Sequence, residues 1–338
     1  SSSTVFVNGN QDGSFAVNIV AADTVSGIAS VSFPDLDGTA IVWTPSGGAS
    51  DTVAPYSVTY AWTAGAASPG AKNATVTDGV GNARNVAFTV TTDSNVPLNG
   101  TVSYATGAGI SGGITRNAAL SVAFTVGTDG GSGVDTSRTQ LQRSDASYAS
   151  GVCGSFGSWN NVGGAGITSP YADSTVGGAH CYKYRVLVSD RVGNVATFSS
   201  ASTIKVDRTV GTGTFNAAPT TTVTGTTTIS GTAADGQSGL ASVSIAYAGA
   251  ASGSVCSAPS TPATWSCSWN TSALPDGQYT LSLTVVDVAG NSTIAATRTI
   301  DIDNDAPTVS VTGFVEGTNV GAQSATGTTM YINPSQSG

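Results

Sequence analysis

Glutamate occurs once in the 338 residues, at Glu316. Histidine occurs once, at His180, methionine once, at Met330, and lysine three times, at Lys72, Lys183 and Lys205. Only 9% of the chain is charged, against about 25% in an average domain. Glu, Lys, Met and Leu favour helices, so their scarcity excludes a helical or α/β architecture. With one imidazole and one Glu, acid–base and metallohydrolase chemistry lacks parts, and no catalytic residue is expected. No apolar run approaches the ~18 residues that span a bilayer, so direct membrane insertion is not expected. The N-terminus has no charged-then-apolar leader, which places any secretion signal outside this stretch. The net charge of −9 argues against nucleic acid or an acidic membrane as partner.

Asp, Gly, Ser, Thr and Val fill the gap, with 43 Gly and 39% hydrophobic residues. That suits turns and strands, with apolar content for several small cores. Four Cys fall as two local pairs, Cys153 with Cys181 and Cys256 with Cys267. C-x-x-C is absent and His is nearly so, which points away from zinc and toward two disulfides in an oxidising, extracellular setting. On the chain-entropy estimate the shorter bridge contributes ~3 kcal/mol and the longer ~3.5.

Internal repeats organise the chain. D-x-x-S-G plus an apolar residue occurs at Asp23–Ile28, Asp129–Val134 and Asp235–Leu240, spaced by 106 residues both times. D-x-x-G-N occurs at Asp78–Asn82, Asp190–Asn194 and Asp287–Asn291, and a further Asp follows 15 to 17 residues later, at Asp93, Asp207 and Asp303. Period-two apolar runs lie between these signals: Phe15 to Ala21, Tyr56 to Trp62, Leu120 to Val126, Tyr182 to Val188 and Tyr279 to Val285. Such runs, punctuated by Gly, Asp and Asn, indicate antiparallel sandwiches. D-x-x-G-N reads as a hairpin turn in which Asp turns its own backbone and Gly-Asn supplies positive φ.

The stretch Asp276-Gly277-Gln278-Tyr279-Thr280-Leu281, with Asp287–Asn291 and Asp303-Asn304-Asp305-Ala306-Pro307, resembles bacterial Ig-like repeats. Cys181-Tyr182-Lys183-Tyr184-Arg185-Val186 is similar to a fibronectin-type-III-like variant. The first unit departs from the resemblance, with Gly70 where the others have Tyr182 and Tyr279. The resemblance implies an all-β fold of tandem Ig-like antiparallel β-sandwiches arranged as an elongated rod. The expected domains are 1–94 (its first strand missing or supplied by a preceding unit), 95–208 with a disulfide-bridged insertion, 209–304, and 305–338 as the opening of a next repeat. Thr329–Gly338 aligns with Thr4–Gly13 at an offset of 325, with four of ten positions identical. This is consistent with a covalent array or with a filament in which one molecule's tail supplies another's missing strand.

Two motif loops share one pole of an Ig sandwich, facing the preceding domain. Asp129, Asp190 and Asn194 are therefore expected near Asp93, and Asp235, Asp287 and Asn291 near Asp207, with Asp303 and Asp305 beginning a third joint. Clustered carboxylates and carbonyls suit Ca²⁺; Asp is equally an ordinary turn former. Gly107–Gly112 fits G-x-G-x-x-G and Gly109–Gly113 fits G-x-S-x-G, but both need a strand followed by a helix. His180 reads as a sheet-surface residue. Four glycosylation-type triplets begin at Asn73, Asn99, Asn270 and Asn291 and carry little weight. The expected function is a non-enzymatic spacer or stalk of a cell-surface adhesin or filament, with neighbouring repeats or protomers as partners. The alternative is a module binding a glycan or a host protein through Trp159, in an irregular insertion over roughly 140–180, or one accessory to a secreted enzyme.

Overall fold

In the computed structural model the described residues are all but 1–2, 39–41, 105–109, 218–220, 260–262, 312–319, 323–329 and 333–338. Among them there is no helix, and hence none long and apolar enough to cross a membrane. Two compact units are present. One comprises Ser1–Gly211 with Asp235–Ala241 and Val286–Ser292; the other comprises Thr212–Ala234, Ser242–Val285 and Thr293–Gly338.

The first unit opens with eight strands: β1 (Thr4–Val7), β2 (Gly13–Ile19), β3 (Ile28–Phe33), β4 (Trp43–Thr44), β5 (Ala49–Asp51), β6 (Tyr56–Trp62), β7 (Gly70–Asp78) and β8 (Ala83–Thr92). They form one sheet ordered β1-β8-β7-β3-β5 and a second ordered β2-β6-β4, with β1 parallel to β8. The alternating runs supply the inner faces, where Val31, Phe33, Trp43, Tyr60 and Val90 are fully enclosed. Gly70 begins β7 in register with Val90, so the missing tyrosine does not prevent the strand.

The same unit holds β9 (Thr101–Tyr104), β10 (Ile110–Ser111), β11 (Ile114–Thr115), β12 (Leu120–Thr125), β13 (Val134–Ala149), β14 (Val152–Cys153), β15 (Asn160–Val162), β16 (Tyr171–Asp173), β17 (His180–Asp190), β18 (Val195–Ser199) and β19 (Ile204–Val206). One sheet runs β10-β11-β19-β17-β13-β14, with β15 on β13 and β18 on β17; the other runs β16-β12-β9. Leu120, Val122, Leu141, Tyr184, Val186 and Val188 make the core between them. The irregular insertion expected over 140–180 begins instead as a 16-residue strand paired to β17. Sequence alternation is obscured there because polar residues are covered on both faces of the strand: Arg143, on the face of Leu141, donates to Asp173 Oδ2 at 2.8 Å, and Ser144, on the face of Ala146 and Tyr148, donates to the Gly157 carbonyl at 2.7 Å.

The second unit carries β20 (Thr212–Phe215), β21 (Thr222–Val223), β22 (Thr226–Ala234), most of β23 (Leu240–Ala248), β24 (Ser252–Pro259), β25 (Thr264–Asn270), most of β26 (Gly277–Asp287) and of β27 (Ser292–Ile302). They form sheets β20-β22-β25 and β21-β27-β26-β23-β24. Trp265, Trp269, Tyr279, Leu281 and Leu283 are buried within it. Further on, β28 (Val320–Ala322) pairs antiparallel with β29 (Met330–Ile332); the remainder of the Thr329–Gly338 match lies outside the described residues.

Both disulfides form, Cys153–Cys181 with Cα atoms 5.8 Å apart and Cys256–Cys267 at 6.0 Å. The first fastens β14 to the start of β17; the second ties β24 to β25.

Candidate functional site

Each D-x-x-G-N segment is a tight hairpin, and its chemistry is local. Asp190 Oδ1 accepts from the backbone N–H groups of Val192 and Asn194 at 3.0 and 2.8 Å, and its Oδ2 accepts from the Asn194 amide at 2.6 Å. Asp78–Asn82 and Asp287–Asn291 repeat the carboxylate-to-Asn pattern. The glycine takes the positive φ alone, 94° at both Gly81 and Gly193 and 88° at Gly290. The asparagine does not share it as expected, because its side chain is held back on the aspartate.

Each D-x-x-S-G segment likewise folds over its own Asp. Asp129 Oδ1 accepts from Gly131 and Gly133 N–H at 3.1 and 2.7 Å, and Asp235 Oδ2 from Gln237 and Gly239 N–H at 3.0 and 2.7 Å.

Two complete constellations are assembled inside the first compact unit. Asp93, Asp129 and Asp190 each present a carboxylate oxygen within 4.8 Å of the others, and so do Asp207, Asp235 and Asp287. Asp93 Oδ2 accepts from Ser132 N–H at 2.6 Å, and Asp207 Oδ2 from Ser238 N–H at 2.9 Å. The Asn194 amide donates to the Asp93 carbonyl at 3.0 Å, and the Asn291 amide to the Asp207 carbonyl at 3.1 Å. The expected groupings are therefore brought together. Asp303 and Asp305 are not: both are exposed and outside any such grouping.

The electrostatics of these groupings are costly. Asp190 and Asp207 are wholly buried and Asp287 nearly so. Like charges at this spacing repel by about 3 kcal/mol per pair at an effective dielectric of 20. Ion pairs among the described residues join Arg138 to Asp135 and Arg143 to Asp173, with the His180 ring 3.4 Å from Asp145, and none reaches either grouping. Burial lifts the Asp287 carboxyl above its ordinary pKa, with Asp207 and Asp235 adding to the rise against the Asn291 hydrogen bonds. At Asp93 burial is outweighed by hydrogen bonding, foremost from the Ser132 backbone N–H, and its pKa falls. Within the D-x-x-S-G loops, the hydroxyl of Ser132 (a residue only 6% exposed), Asp235 Oδ1 and Gln237 Oε1 are enclosed and have no hydrogen-bond partner.

Three contributors were not read from the sequence. Asn8, which follows β1, donates to Asn194 Oδ1 at 3.1 Å and to the Val192 carbonyl at 3.3 Å. Its match to Asn333 in the terminal repeat was the available signal. Arg116, after β11, hydrogen-bonds the Gly290 carbonyl from the corresponding position. The turn after β13 donates from Ser150 and Gly151 N–H to the carbonyls of Gly236 and Gln237, at 2.8 and 2.7 Å. Cys153–Cys181 anchors that turn, and no sequence pattern announced it.

The remaining candidates lie elsewhere. Trp159 is half-buried with the Arg185 guanidinium 4.5 Å over its ring. His180 begins β17, stacked on Tyr182. Gly107–Gly109 lie outside the described residues, and Ile110–Thr115, which follows, is a hairpin rather than a strand followed by a helix.

Residues 214–285 match the family model described as "Bacterial Ig domain", and residues 263–329 match "Bacterial Ig-like domain (group 3)". Over residues 214–329 the chain is similar to bacterial Ig-like domains. A solved tetra-tandem repeat from the extending region of a large adhesion protein is similar at 18% identity, covering 89% of this chain and 74% of that one, with a TM-score of 0.29. The chicken CNTN1 FN1–FN3 domains are similar at 12% identity, covering 86% and 94%, with a TM-score of 0.28. Comparison with curated proteins finds no match.

Proposed function

We propose that this chain is a non-enzymatic, extracellular spacer segment of a repetitive surface protein, extended in solution, and that Ca²⁺ at the two aspartate groupings stiffens it. The observation that carries this reading is the recurrence of one buried, three-carboxylate arrangement at two successive repeats, built from the same motif positions each time. Each grouping brings three carboxylates together without an ion-pair partner among the described residues; their oxygens, with nearby carbonyls and water, suit a hard divalent cation, which takes six to eight oxygens. Asp235 Oδ1 has no hydrogen-bond partner and is free to ligate, and the Ser132 hydroxyl adds an oxygen at the other grouping. The disulfides fit an oxidising compartment. Glycan or protein binding at Trp159 is the weaker reading, because Arg185 already covers one face of the indole.

Small-angle X-ray scattering in Ca²⁺ and then in EGTA tests the proposal. A compact chain of this length has a radius of gyration of about 20 Å, and three sandwiches in a line, each ~40 Å long, roughly 35 Å. The larger value in Ca²⁺, with a broadened distribution in EGTA, is the expected result. A compact particle in both buffers overturns the spacer. An extended particle indifferent to EGTA removes the metal and keeps the spacer.

A further inference from the structure

The two motif loops of the first sandwich form only part of a constellation that is complete elsewhere. Asp23 folds its own loop, accepting from Val25, Ser26 and Gly27 N–H, and Asp78 holds Asn82. Asp23 and Asn82 stand exposed, and no described linker aspartate joins them. The converse is found at Asp303. Its N–H donates to the Val223 carbonyl, as Asp93 does to Val7 and Asp207 to Thr115. It is a linker aspartate in the same position, exposed and without motif loops around it.

The strand beside those loops shows the same gap. β12 is flanked by β9 and β16, and β22 by β20 and β25, whereas β2 has β6 on one side and no described strand on the other. A groove of about 600 Å³ lies there, bordered by Val20, Ala21, Ala22, Val76 and Val86. In the second unit β20 fills the corresponding place. Its Gly213 approaches Leu283, Val285 and Ala295 so closely that a Cβ there would meet their side chains. By motif position, Val76 and Val86 are the counterparts of Val285 and Ala295; Val86 is 42% exposed.

The chain contains a segment that fits. β20 begins five residues after Asp207 and pairs antiparallel with the four residues before Asp235, Thr212 opposite Ala234 and Phe215 opposite Gly231. Five residues after Asp303 comes Thr308-Val309-Ser310-Val311, unpaired, with Val309 93% and Val311 57% exposed. Transferring the β20 register sets Thr308 opposite Ala22 and Val311 opposite Ile19. Val309 and Val311 then take the places of Gly213 and Phe215, which face the core in β20.

We propose that Asp303–Val311 of a second copy of this chain adds as a strand to the free edge of β2 and brings its Asp303 to Asp23, Asp78 and Asn82, joining copies head to tail. Main-chain ladder bonds supply the attraction and the two valines supply register. This inference goes beyond the spacer reading; because the joint gathers three carboxylates as the two internal groupings do, association is measured in Ca²⁺. Asn82 would donate to the incoming Asp303 carbonyl, as Asn194 and Asn291 do to Asp93 and Asp207.

Sedimentation equilibrium up to about 1 mM, where even weak contacts are populated, provides the test. The average mass is expected to rise with concentration above the 33.2 kDa of one copy. Val309→Asp with Val311→Asp blocks the tail, and Val86→Arg blocks the groove. All three sites are exposed, so circular dichroism should show both variants folded. Each variant alone is expected to stay monomeric, while an equimolar mixture forms a dimer and nothing larger. A concentration-independent monomer overturns the proposal, including the case in which a chain's own tail fills its groove. Association of wild type without dimerisation of the mixture also overturns it, because a different surface is then responsible.

Discussion

The first and second sandwiches carry the same two motifs and treat them oppositely. In the first, Asp23 and Asn82 face solvent and Asp78 is half-buried; in the second, the counterparts Asp190 and Asn194 are buried against Asp93 with Asp129 half-buried, and Asn194 bonds Asp190, the Asp93 carbonyl and Asn8. The turns themselves are nearly superimposable in chemistry, down to a φ of 94° at Gly81 and at Gly193. The motif thus specifies a turn, and a charge-dense site arises only where a linker aspartate arrives. The second sandwich also spends polar groups in its core: Asp173, with a side chain of no exposure, accepts from Arg143 and Tyr184. The described part of the first sandwich has no ion pair.

The largest expected effect is at that ion pair. Arg143→Ala leaves Asp173 buried and uncompensated and should cost about 3–5 kcal/mol, measured by urea unfolding. Next comes Asn194→Ala, expected to cost about 2–3 kcal/mol through several lost buried hydrogen bonds. Asn82→Ala, at the matching exposed position, should cost less than about 0.5 kcal/mol. Equal losses at the two asparagines would break the comparison.

How far the sequence could be read follows the same division. The period-two runs, the hairpins and both disulfides were legible, because turn residues and alternation are local signals. The meeting of Asp93 with Asp129 and Asp190 followed from topology once an Ig-like order was assumed. Asn8, Arg116 and the Ser150–Gly151 turn were not legible, since each acts on residues far along the chain through backbone carbonyls. The length of β13 was hidden for a related reason: both faces of the strand are covered, and Arg143 on one and Ser144 on the other are polar residues with polar partners, which breaks the apolar pattern. That Asp303 and Asp305 stand apart was also beyond composition.

Two smaller tests sharpen the contrast. Gly81→Ala and Gly193→Ala should each cost about 1–2 kcal/mol, and by similar amounts, since an added Cβ meets nothing within 4 Å at either place. A difference above the measurement error would mean that the turns are not locally specified. Smallest is an acid effect. Burial alone would raise the Asp173 pKa, but its hydrogen bonds from Thr175, Tyr184 and Arg143 hold it below the ordinary value. A carboxyl depressed in the folded state binds fewer protons than in the unfolded chain. Its contribution is therefore present above pH ~4 and lost as the pH falls through the folded-state value. Denaturant melts between pH 5 and 2 should show that loss in wild type and a shallower one in Asp173→Asn.

The central claim is that the buried aspartate groupings hold cations while the exposed motif loops do not. Calorimetric titration of the EGTA-stripped chain with Ca²⁺ tests it most directly. For the chain at concentrations where it is monomeric, the account expects saturation at about two ions per chain, loss of one ion in Asp190→Asn and of the other in Asp287→Asn, and no change in Asp78→Asn. Absence of binding heat together with an unfolding temperature unmoved by Ca²⁺ would contradict it.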